Sequence, residues 1–478
     1  MRKKCLAMLL AAALLCHPGA AAFAEDASAP LPLTATAAIL VESATGKVLY
    51  AQLENQRVYP ASMTKILTAL VVMDYLQPED FLVLGPEINE APQGSSMAYH
   101  QVGETILVEN LLRGLLIPSG NESGCALAYA VAKSLRQGED LPYAEAEQLF
   151  CDLMNEKAQA LGAADTHFTN PHGFHDDNHY TTASDMSLFA REFMENPILA
   201  EIVSEPKFDG NGAGLHPPAG AVTKVYSNWQ NHNKLIIYDD PDFYTYANGI
   251  KTGTTQEAGD CVAASAEKDG VKLIAIICQS KEPGRWVDAK TLFEHGFNRF
   301  HFETILQAGG SLEKVQLDSP RLGESDTMDV LAQSGYTDFC SQDELLRIER
   351  ALTYDEKYLA PAPAKADAET DVPAPARMRL PIQKGDVLGK ASFTLDGKTL
   401  FETNLLAAAD AQKRTLQSDT QYYWSHFKSQ IFTVSALPYW VGGFAALLGL
   451  AAFLAYRSIT RARRMRRKRS AFRLPRKF

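Results

Sequence analysis

The segment YPASMTKILTALVVMDYL, residues 59–76, limits what this chain can fold into more than any other stretch. Its apolar residues run almost without a break, a pattern typical of a helix buried on all sides. With 478 residues, 46% of them hydrophobic, the chain is long enough for two domains and at least one large core. Lys65 lies inside this segment, and a buried lysine is costly unless something needs it there. We therefore expect Lys65 to have a chemical task.

Apolar segments stand near both ends of the chain. Residues 1–24 have a basic start, an apolar stretch and small residues up to Ala24, which is the layout of a cleaved signal peptide. Residues 431–456 contain no charged side chain and are long enough to cross a bilayer. The following residues, 457–478, carry eleven Lys and Arg and no Asp or Glu, which predicts a cytoplasmic tail. The sequence thus predicts an exported body, periplasmic or extracellular, anchored in the cell membrane by one C-terminal helix.

The net charge of the predicted body limits the classes of partner that it can bind. The whole chain has a formal charge of −11, and the three cations of the leader and eleven of the tail leave −25 on residues 25–456. Such an acidic body is a poor partner for nucleic acid, so we expect none. An anionic substrate would have to be bound by local cations.

The cysteines predict no disulfide framework. Five remain after the leader, an odd number without a short repeated spacing. We expect them to be buried small hydrophobic residues. They are Cys125, Cys151, Cys261, Cys278 and Cys340.

Strand-like segments enclose a largely helical region. Residues 37–52 and 261–280 each read as a β-hairpin, whereas residues 60–193 have mostly helical patterns. This order predicts one sheet assembled from both ends of a domain and covered by helices. The predicted organisation is a main domain at 30–300, a β-rich domain at 301–415 containing a Pro/Ala-rich loop at 360–376, and a linker at 416–430 before the membrane helix.

A Ser-x-x-Lys motif lies at the start of the buried segment. The motif alone carries little information, since it occurs four more times in the chain. Ser62 differs by its setting, because Pro60 suits a first helical turn, where free backbone N–H groups favour developing negative charge. Lys65 falls on the same helix face as Ser62. Burial lowers the pKa of a lysine, so its neutral amine could accept the serine proton.

Two further motifs follow in order along the chain. Ser119 and Asn121 form its only Ser-x-Asn, in a break between two helical stretches. Lys251, Thr252 and Gly253 form its only Lys-Thr-Gly, on a strand-like segment that should lie at the edge of the sheet. There the glycine allows close approach of a substrate backbone. Each motif alone is more often a solvated turn, but the three in this order predict a single reactive cleft.

With these motifs the chain resembles the low-molecular-mass penicillin-binding proteins, which are serine-type D-alanyl-D-alanine carboxypeptidases of the β-lactamase and penicillin-binding superfamily. The resemblance covers residues 35–300, including residues 153–191 and the segment NHNKLI, and extends more loosely over 301–415. It implies an α/β fold with an antiparallel sheet flanked by helices and an inserted helical subdomain. A small β-rich C-terminal domain and one transmembrane helix complete the predicted architecture.

The resemblance also implies roles for the nucleophilic side of the site. Ser62 would attack the carbonyl of the penultimate D-alanine and form an acyl-enzyme, with Lys65 taking its proton. Ser119 would relay a proton towards the leaving D-alanine, and Asn121 would bond the peptide or hold the lysine. The substrate would be the peptidoglycan stem peptide, and β-lactams would be covalent inhibitors. No cofactor or metal is implied.

The remaining implied roles concern substrate binding. Lys251 and Thr252 would bind the terminal carboxylate, helped by Arg285, for which a plain surface arginine is the alternative. Gly253 would let the substrate backbone approach closely. The backbone N–H groups of Ser62 and Thr254 would form the oxyanion hole. Members of the family often carry a bulkier residue at the position of Thr254.

Other functions fit the sequence less well. A membrane-anchored β-lactamase would need a deacylating Glu-x-x-x-Asn segment, for which residues 150–170 offer no convincing match. A non-catalytic penicillin sensor would need a cytoplasmic effector domain larger than the tail. The histidine-rich segment HFTNPHGFHDDNHY suggests zinc, but it lacks a helical His-Glu-x-x-His and reads as a loop. Its histidines are His167, His172, His175 and His179.

Overall fold

The computed structural model describes residues 30–361, 377–431 and 433–470. The predicted signal peptide, most of the predicted Pro/Ala-rich loop and the last eight residues of the tail lie outside these ranges. The chain divides into two compact units. The first runs to His301 and includes Cys340–Asp343, and the second comprises Phe302–Phe339 and the residues from Glu344 onward.

Nine strands lie in the described part of the first unit, residues 30–301. They are β1 (Ala37–Glu42), β2 (Val48–Gln52), β3 (Phe81–Val83), β4 (Thr105–Leu107), β5 (Lys207–Asn211), β6 (Val225–Gln230), β7 (Ala247–Thr255), β8 (Gly259–Lys268) and β9 (Val271–Ser280). Five of them form one antiparallel sheet in the order β2-β1-β9-β8-β7. Strands from both ends of the unit thus meet in its centre, and the predicted antiparallel sheet is confirmed.

Between residues 30 and 301, seven α-helices cover this sheet or form the inserted helical part. They are α1 (Lys65–Tyr75), α2 (Val108–Leu116), α3 (Asn121–Leu135), α4 (Tyr143–Ala160), α5 (Ala183–Glu195), α6 (Pro197–Ser204) and α7 (Gly284–Arg299). Every residue of α1 from Lys65 to Val72 is buried, and the helix packs against α2, α3, α4 and α5. The unbroken apolar sequence therefore does form a central helix, because no face of α1 meets solvent over its first two turns.

The second unit is β-rich, as predicted. Its elements include three that contain residues of both units. In chain order they are β10 (Phe300–Leu306), β11 (Ser311–Leu317), β12 (Thr327–Ala332), β13 (Tyr336–Ser341), α8 (Gln342–Arg347), β14 (Glu349–Tyr354), β15 (Arg377–Met378), β16 (Val387–Leu395) and β17 (Lys398–Ala407). Six strands form a sheet in the order β14-β16-β17-β12-β11-β15. Its buried side encloses a separate apolar core that includes Val330, Leu388 and Leu405.

Two helices end the described chain, α9 (Leu416–Ile431) and α10 (Leu437–Ser470). The predicted linker is thus helical, and the helix that follows begins at Leu437 instead of at residue 431. Pro438 suits the first turn of a helix, where its missing N–H is not needed. The helix continues into the basic tail because arginine and lysine are good helix formers. Residues Leu437–Arg466 are long and apolar enough to be a candidate membrane span.

Candidate active site

Ser62 lies in a 3₁₀ turn, Ala61–Thr64, that leads directly into α1. The sequence places it in the opening turns of an α-helix, whereas the α-helix proper begins at Lys65. Ser62 is half-buried, and Lys65 is completely buried one turn further on. The hydroxyl therefore faces the surface of the unit and the amine approaches it from the core.

The amine of Lys65 has three close neighbours. Its Nζ lies 2.9 Å from Ser62 Oγ, 2.7 Å from Asn121 Oδ1 and 2.6 Å from the backbone oxygen of His172. Burial, followed by the charge of Lys251, holds the pKa of Lys65 well below its usual value. A neutral amine has two hydrogens and one lone pair. The two carbonyl oxygens can accept both hydrogens, which leaves the lone pair for the hydroxyl of Ser62.

A loop supplies the backbone carbonyls behind this amine. The backbone oxygen of Pro171 accepts a hydrogen bond from Thr68 Oγ1 at 2.6 Å, next to the contact of His172 with Lys65. Gly173 makes this approach possible, since a Cβ on it would lie 1.9 Å from the backbone oxygen of Ala61. The histidine-rich segment thus contributes main-chain oxygens to the site, a role that residue types alone do not reveal.

The histidine side chains of that loop serve its packing. Thr64 Oγ1 donates to the oxygen of Ala61, so the Nε2–H of His179 donates to Thr64 at 2.8 Å and its Nδ1 accepts from the N–H of Thr169. Burial lowers the pKa of both His172 and His179 to about 3, so these rings are neutral. Among the described residues, no group of three His, Cys, Asp or Glu could hold a metal ion.

The Ser-x-Asn motif forms the turn before α3. Ser119 is buried and adopts a left-handed conformation with φ of 62°. Asn121 is the first residue of α3, and its N–H donates to the backbone oxygen of Ser96 at 2.8 Å. Because α3 packs against α1, the amide oxygen of Asn121 reaches Lys65.

The Lys-Thr-Gly motif lies on β7, an edge strand of the five-stranded sheet as the sequence predicts. Gly253 faces the 3₁₀ turn that carries Ser62, since a Cβ there would lie 2.6 Å from the backbone oxygen of Pro60 and 3.1 Å from the N of Met63. The glycine therefore makes room for the turn that carries Ser62, and not only for a ligand. Lys251 is buried beside it, and burial together with the charge of Arg285 lowers its pKa to about 7.

Arg285 lies in the first turn of α7 and points towards the end of the same strand. Its Nη1 donates to Thr254 Oγ1 at 2.9 Å and lies 3.4 Å from Asp260 Oδ1. Its Nη2 lies 3.2 Å from Glu282. With 11% of its side chain exposed, Arg285 is a fixed part of this edge.

Comparison with known protein families finds a match over most of the first unit. The model of the D-alanyl-D-alanine carboxypeptidase family matches residues 24–282, more than half of the chain. The chain belongs to this family. It is thus a serine-type carboxypeptidase, and a model of the penicillin-binding protein 5 C-terminal domain matches residues 350–413.

Relatives in the family are similar over most of their length. The D-alanyl-D-alanine carboxypeptidase DacF of Bacillus subtilis is 27% identical over 443 residues, which cover 89% of this chain and all of DacF. DacA of Escherichia coli K12 is 28% identical over 379 residues, covering 77% of this chain and 81% of DacA.

Solved structures confirm the fold of the family. Penicillin-binding protein 5 from Haemophilus influenzae is 25% identical, with a TM-score of 0.54, and covers 80% of this chain and 99% of its own. The carboxypeptidase DacD from Francisella tularensis is 21% identical, with a TM-score of 0.57 over 80% of this chain and 95% of its own, and is similar in fold.

Within this family fold, Glu122 is a residue that the motifs did not identify. It follows Asn121 in the first turn of α3 and is almost completely buried. Its Oε1 accepts the backbone N–H of Tyr99 at 2.6 Å, whereas its Oε2 has no hydrogen-bond partner among the described residues. An acid in the first turn of a helix is a common sequence pattern, but this carboxylate binds a backbone N–H outside its own helix. The signal gives no hint that the side chain is buried next to the site.

Proposed function

We propose that this carboxypeptidase removes the terminal D-alanine from peptidoglycan stem peptides through an acyl-enzyme on Ser62. The observation that supports this assignment best is the environment of Lys65. Two fixed carbonyl oxygens occupy the hydrogens of its amine, and the remaining lone pair faces Ser62 Oγ at 2.9 Å. A base in hydrogen-bond contact with a hydroxyl is the arrangement that nucleophilic catalysis by serine requires.

In the first half of the reaction Ser62 Oγ attacks the carbonyl carbon of the penultimate D-alanine. Its proton passes to Lys65 Nζ, and negative charge develops on the carbonyl oxygen. The backbone N–H groups of Ser62 and Thr254 are the donors that we assign to that oxygen. Collapse of the tetrahedral intermediate breaks the peptide bond. Ser119 gives its hydroxyl proton to the nitrogen of the departing D-alanine and takes the proton held by Lys65, which becomes neutral again.

In the second half, water attacks the ester carbonyl of the acyl-enzyme. Lys65, again neutral, takes a proton from the water, and Ser62 leaves with a proton as the shortened peptide is released. A β-lactam would acylate the same hydroxyl, because its strained amide presents a carbonyl to Ser62. We assign Asn121 a second task here, since its side-chain amide nitrogen remains available to the peptide.

The terminal carboxylate would bind at the edge of β7. Lys251 supplies a buried amine, Thr252 a hydroxyl and Arg285 a guanidinium that is anchored to Thr254. A carboxylate entering this site meets the cations of Lys251 and Arg285, although Arg285 also pairs with Asp260 and Glu282 and the body as a whole is acidic. Release of only the last residue follows from this arrangement, since the carboxylate fixes how far the peptide extends beyond Ser62.

The test uses the full-length protein in detergent micelles with a pentapeptide that ends in D-Ala-D-Ala. We expect equimolar release of D-alanine and tetrapeptide, and covalent labelling by fluorescent penicillin. Ser62→Ala should abolish both signals. A matched control is Ser204→Ala, in another Ser-x-x-Lys of the chain, where the hydroxyl only bonds the backbone oxygen of Glu201.

Each other outcome points to a different function. Equal labelling of Ser62→Ala would reject the assignment of the nucleophile. Cross-linked peptide instead of free D-alanine would indicate a transpeptidase. Rapid hydrolysis of penicillin would indicate a β-lactamase, and stable labelling without any release of D-alanine would indicate a sensor.

We also propose that α10 spans the cell membrane and holds the catalytic body on the outer face. The support is the apolar length of Leu437–Arg466 and the basic residues at its C-terminal end. External protease added to intact cells whose wall has been removed should degrade the body and leave a C-terminal epitope tag protected. A tag that is digested without lysis would overturn this topology.

A further inference from the structure

A cavity of about 510 Å³ adjoins the Ser-x-Asn motif. Its walls come from the segment that contains Ser96 and Tyr99, from Pro118 directly before Ser119, and from strand β6 with the residues after it. It is large enough for a long side chain, and neither the acylation step nor carboxylate binding uses it.

His232 connects this cavity with the reactive cleft. Its ring lines the cavity, and its pKa is lowered to about 4 by burial and then by the charges of Lys251, Lys65 and Arg285. The cavity also adjoins the cleft directly, since the backbone oxygen of Ser96, another lining residue, accepts the N–H of Asn121 at 2.8 Å. A peptide acylated on Ser62 would therefore have this cavity as its neighbour.

The cavity is cationic, unlike the body that contains it. None of its lining residues is an Asp or Glu, whereas Lys224 is one of them. The amine of Lys224 donates to the backbone oxygen of Tyr99 and lies 5.3 Å from the centre of the Tyr226 ring. Within the described part of the chain, no carboxylate forms an ion pair with Lys224.

Three carboxylates in the elements around the cavity contact groups other than Lys224. Glu104 is buried and accepts from the hydroxyl of Tyr226, and Glu122 accepts from the N–H of Tyr99 behind the wall. On the neighbouring strand β5, Asp209 lies 3.0 Å from Lys207. The positive charge of Lys224 is thus left for a ligand.

A buried hydrogen-bonded network holds the walls in place. His100 bonds Ser123 of α3 at 2.8 Å through Nε2 and Tyr226 of β6 at 2.6 Å through Nδ1. The indole N–H of Trp229 donates to the backbone oxygen of Ala98 at 3.1 Å. These contacts join both walls to the helix that carries Asn121, so the cavity exists before a ligand enters and little ordering is needed on binding.

We propose that this cavity receives the side chain of the residue preceding D-Ala-D-Ala, and that Lys224 selects a diamino acid whose side chain ends in a carboxylate. Consecutive residues of an extended peptide are about 3.3–3.6 Å apart, so this side chain must find a recess next to the nucleophile. A side chain that ends only in an amine would meet Lys224 as a like charge. The proposal rests on the proposed function and names the stem peptides that it favours.

The experiment compares three pentapeptides that differ only at the third residue, with the full-length protein in detergent. The residue is meso-diaminopimelate, the same residue with its side-chain carboxylate converted to the amide, or L-lysine. We expect kcat/KM for D-alanine release to be about tenfold higher for the free carboxylate than for either alternative, since hydrogen bonds to charged groups are the strong ones.

Variants at Lys224 test the cause of this preference. Lys224→Gln should bring the ratio of kcat/KM between carboxylate and amide close to one, and Lys224→Arg should preserve it. Lys207→Gln, the same charge change on the adjacent strand, should also preserve it. Equal rates for the three peptides with the native protein, or a ratio that survives Lys224→Gln, would overturn the proposal. If no peptide loses D-alanine, the proposed function itself fails.

Discussion

Two buried lysines stand on opposite sides of the same cleft, and their surroundings differ. Lys65, on the helix side, has its nitrogen within 2.9 Å of three oxygens, one of which is Ser62 Oγ, the nucleophile that we propose. Lys251, on the strand side, donates to a single described acceptor, the backbone oxygen of Thr252 at 3.1 Å. Burial lowers both pKa values, so burial alone does not assign a role. An amine with fixed partners is suited to move a proton, and an amine with unused donors is suited to bind an anion.

The largest effect should follow from replacing the helix-side amine. Lys65→Met keeps the apolar stem but removes the lone pair that faces Ser62. We expect both penicillin labelling and D-alanine release to fall by about 10³-fold or more, since loss of a general base typically costs 10²–10⁴-fold. The measurement is the second-order rate constant of acylation together with kcat for release.

The matched control is Lys272→Met, because this lysine is exposed on β9 and 64% of its side chain is accessible. It should acylate like the native protein. If Lys65→Met retained rapid acylation, a different group would act as the base. The comparison would then no longer assign different roles to the two buried lysines.

The next largest effect should follow from Lys251→Met and should have a different kinetic form. Loss of the buried cation weakens binding of the terminal carboxylate, so kcat/KM should fall by about 10²-fold, mainly through KM. Reaction with a small ester that has no free carboxylate should be affected far less. Steady-state kinetics on both substrates measure the difference.

A different result for Lys251→Met would revise the comparison. If kcat fell while KM stayed constant, and the ester reacted as slowly as the peptide, the strand-side amine would take part in proton transfer. The two lysines would then form one catalytic unit instead of a base and a receptor.

The pH profile of kcat/KM should have one limb from each lysine. Lys65 must be neutral, so activity should rise with pH through its lowered pKa. Lys251 must be charged, so activity should fall above its pKa of about 7. The charge of Lys251 lowers the pKa of Lys65, and Lys251→Met should therefore move the acidic limb to higher pH.

The contrary outcome is an acidic limb that does not move. Coupling between the two amines would then be absent, and another group would set that limb. His232 is the first alternative, because its pKa is lowered to about 4 and it lies beside the same charges. His232→Gln separates these two explanations. The variant should lose the acidic limb only if His232, and not Lys65, sets it.

The sequence predicts the elements of the site well because each motif has a local cause. An unbroken apolar run requires a central helix, and Ser62 and Lys65 belong to its start whatever the remainder of the chain does. Lys251 follows a strand-like segment just before a hairpin, which makes β7 an edge strand. The fold class follows from the same patterns and from the resemblance to the family.

The partners of these residues are set by long-range packing and leave little trace in the sequence. The acceptor from His172 is a backbone oxygen, which any residue type would supply, and it reaches Lys65 across 107 positions. Gly253 makes room for the 3₁₀ turn that carries Ser62, whereas the sequence suggested only room for a substrate. Lys224 has no motif at all, and only the cavity that it lines gives it a candidate role.

The smallest effect should come from Arg285→Gln, because two consequences of this change oppose each other. The variant lacks a cation near the substrate carboxylate, which raises KM. Loss of the same cation also raises the pKa of Lys251. Well below pH 7, where Lys251 is charged in both proteins, we expect kcat/KM to fall about fivefold, within the 1–3 kcal/mol range of a truncated polar contact. Above pH 7 the loss should shrink, because the variant keeps Lys251 protonated to a higher pH.

Arg299→Gln, at the other end of α7, is the control and should leave both limbs of the profile in place. If the loss of kcat/KM in Arg285→Gln grew with rising pH, the arginine would stabilise the charged form of Lys251. That result contradicts the sign of their interaction, in which one cation disfavours the other. The strand side would then be a cooperative cation pair, and the contrast with the helix side would rest on Lys65 alone.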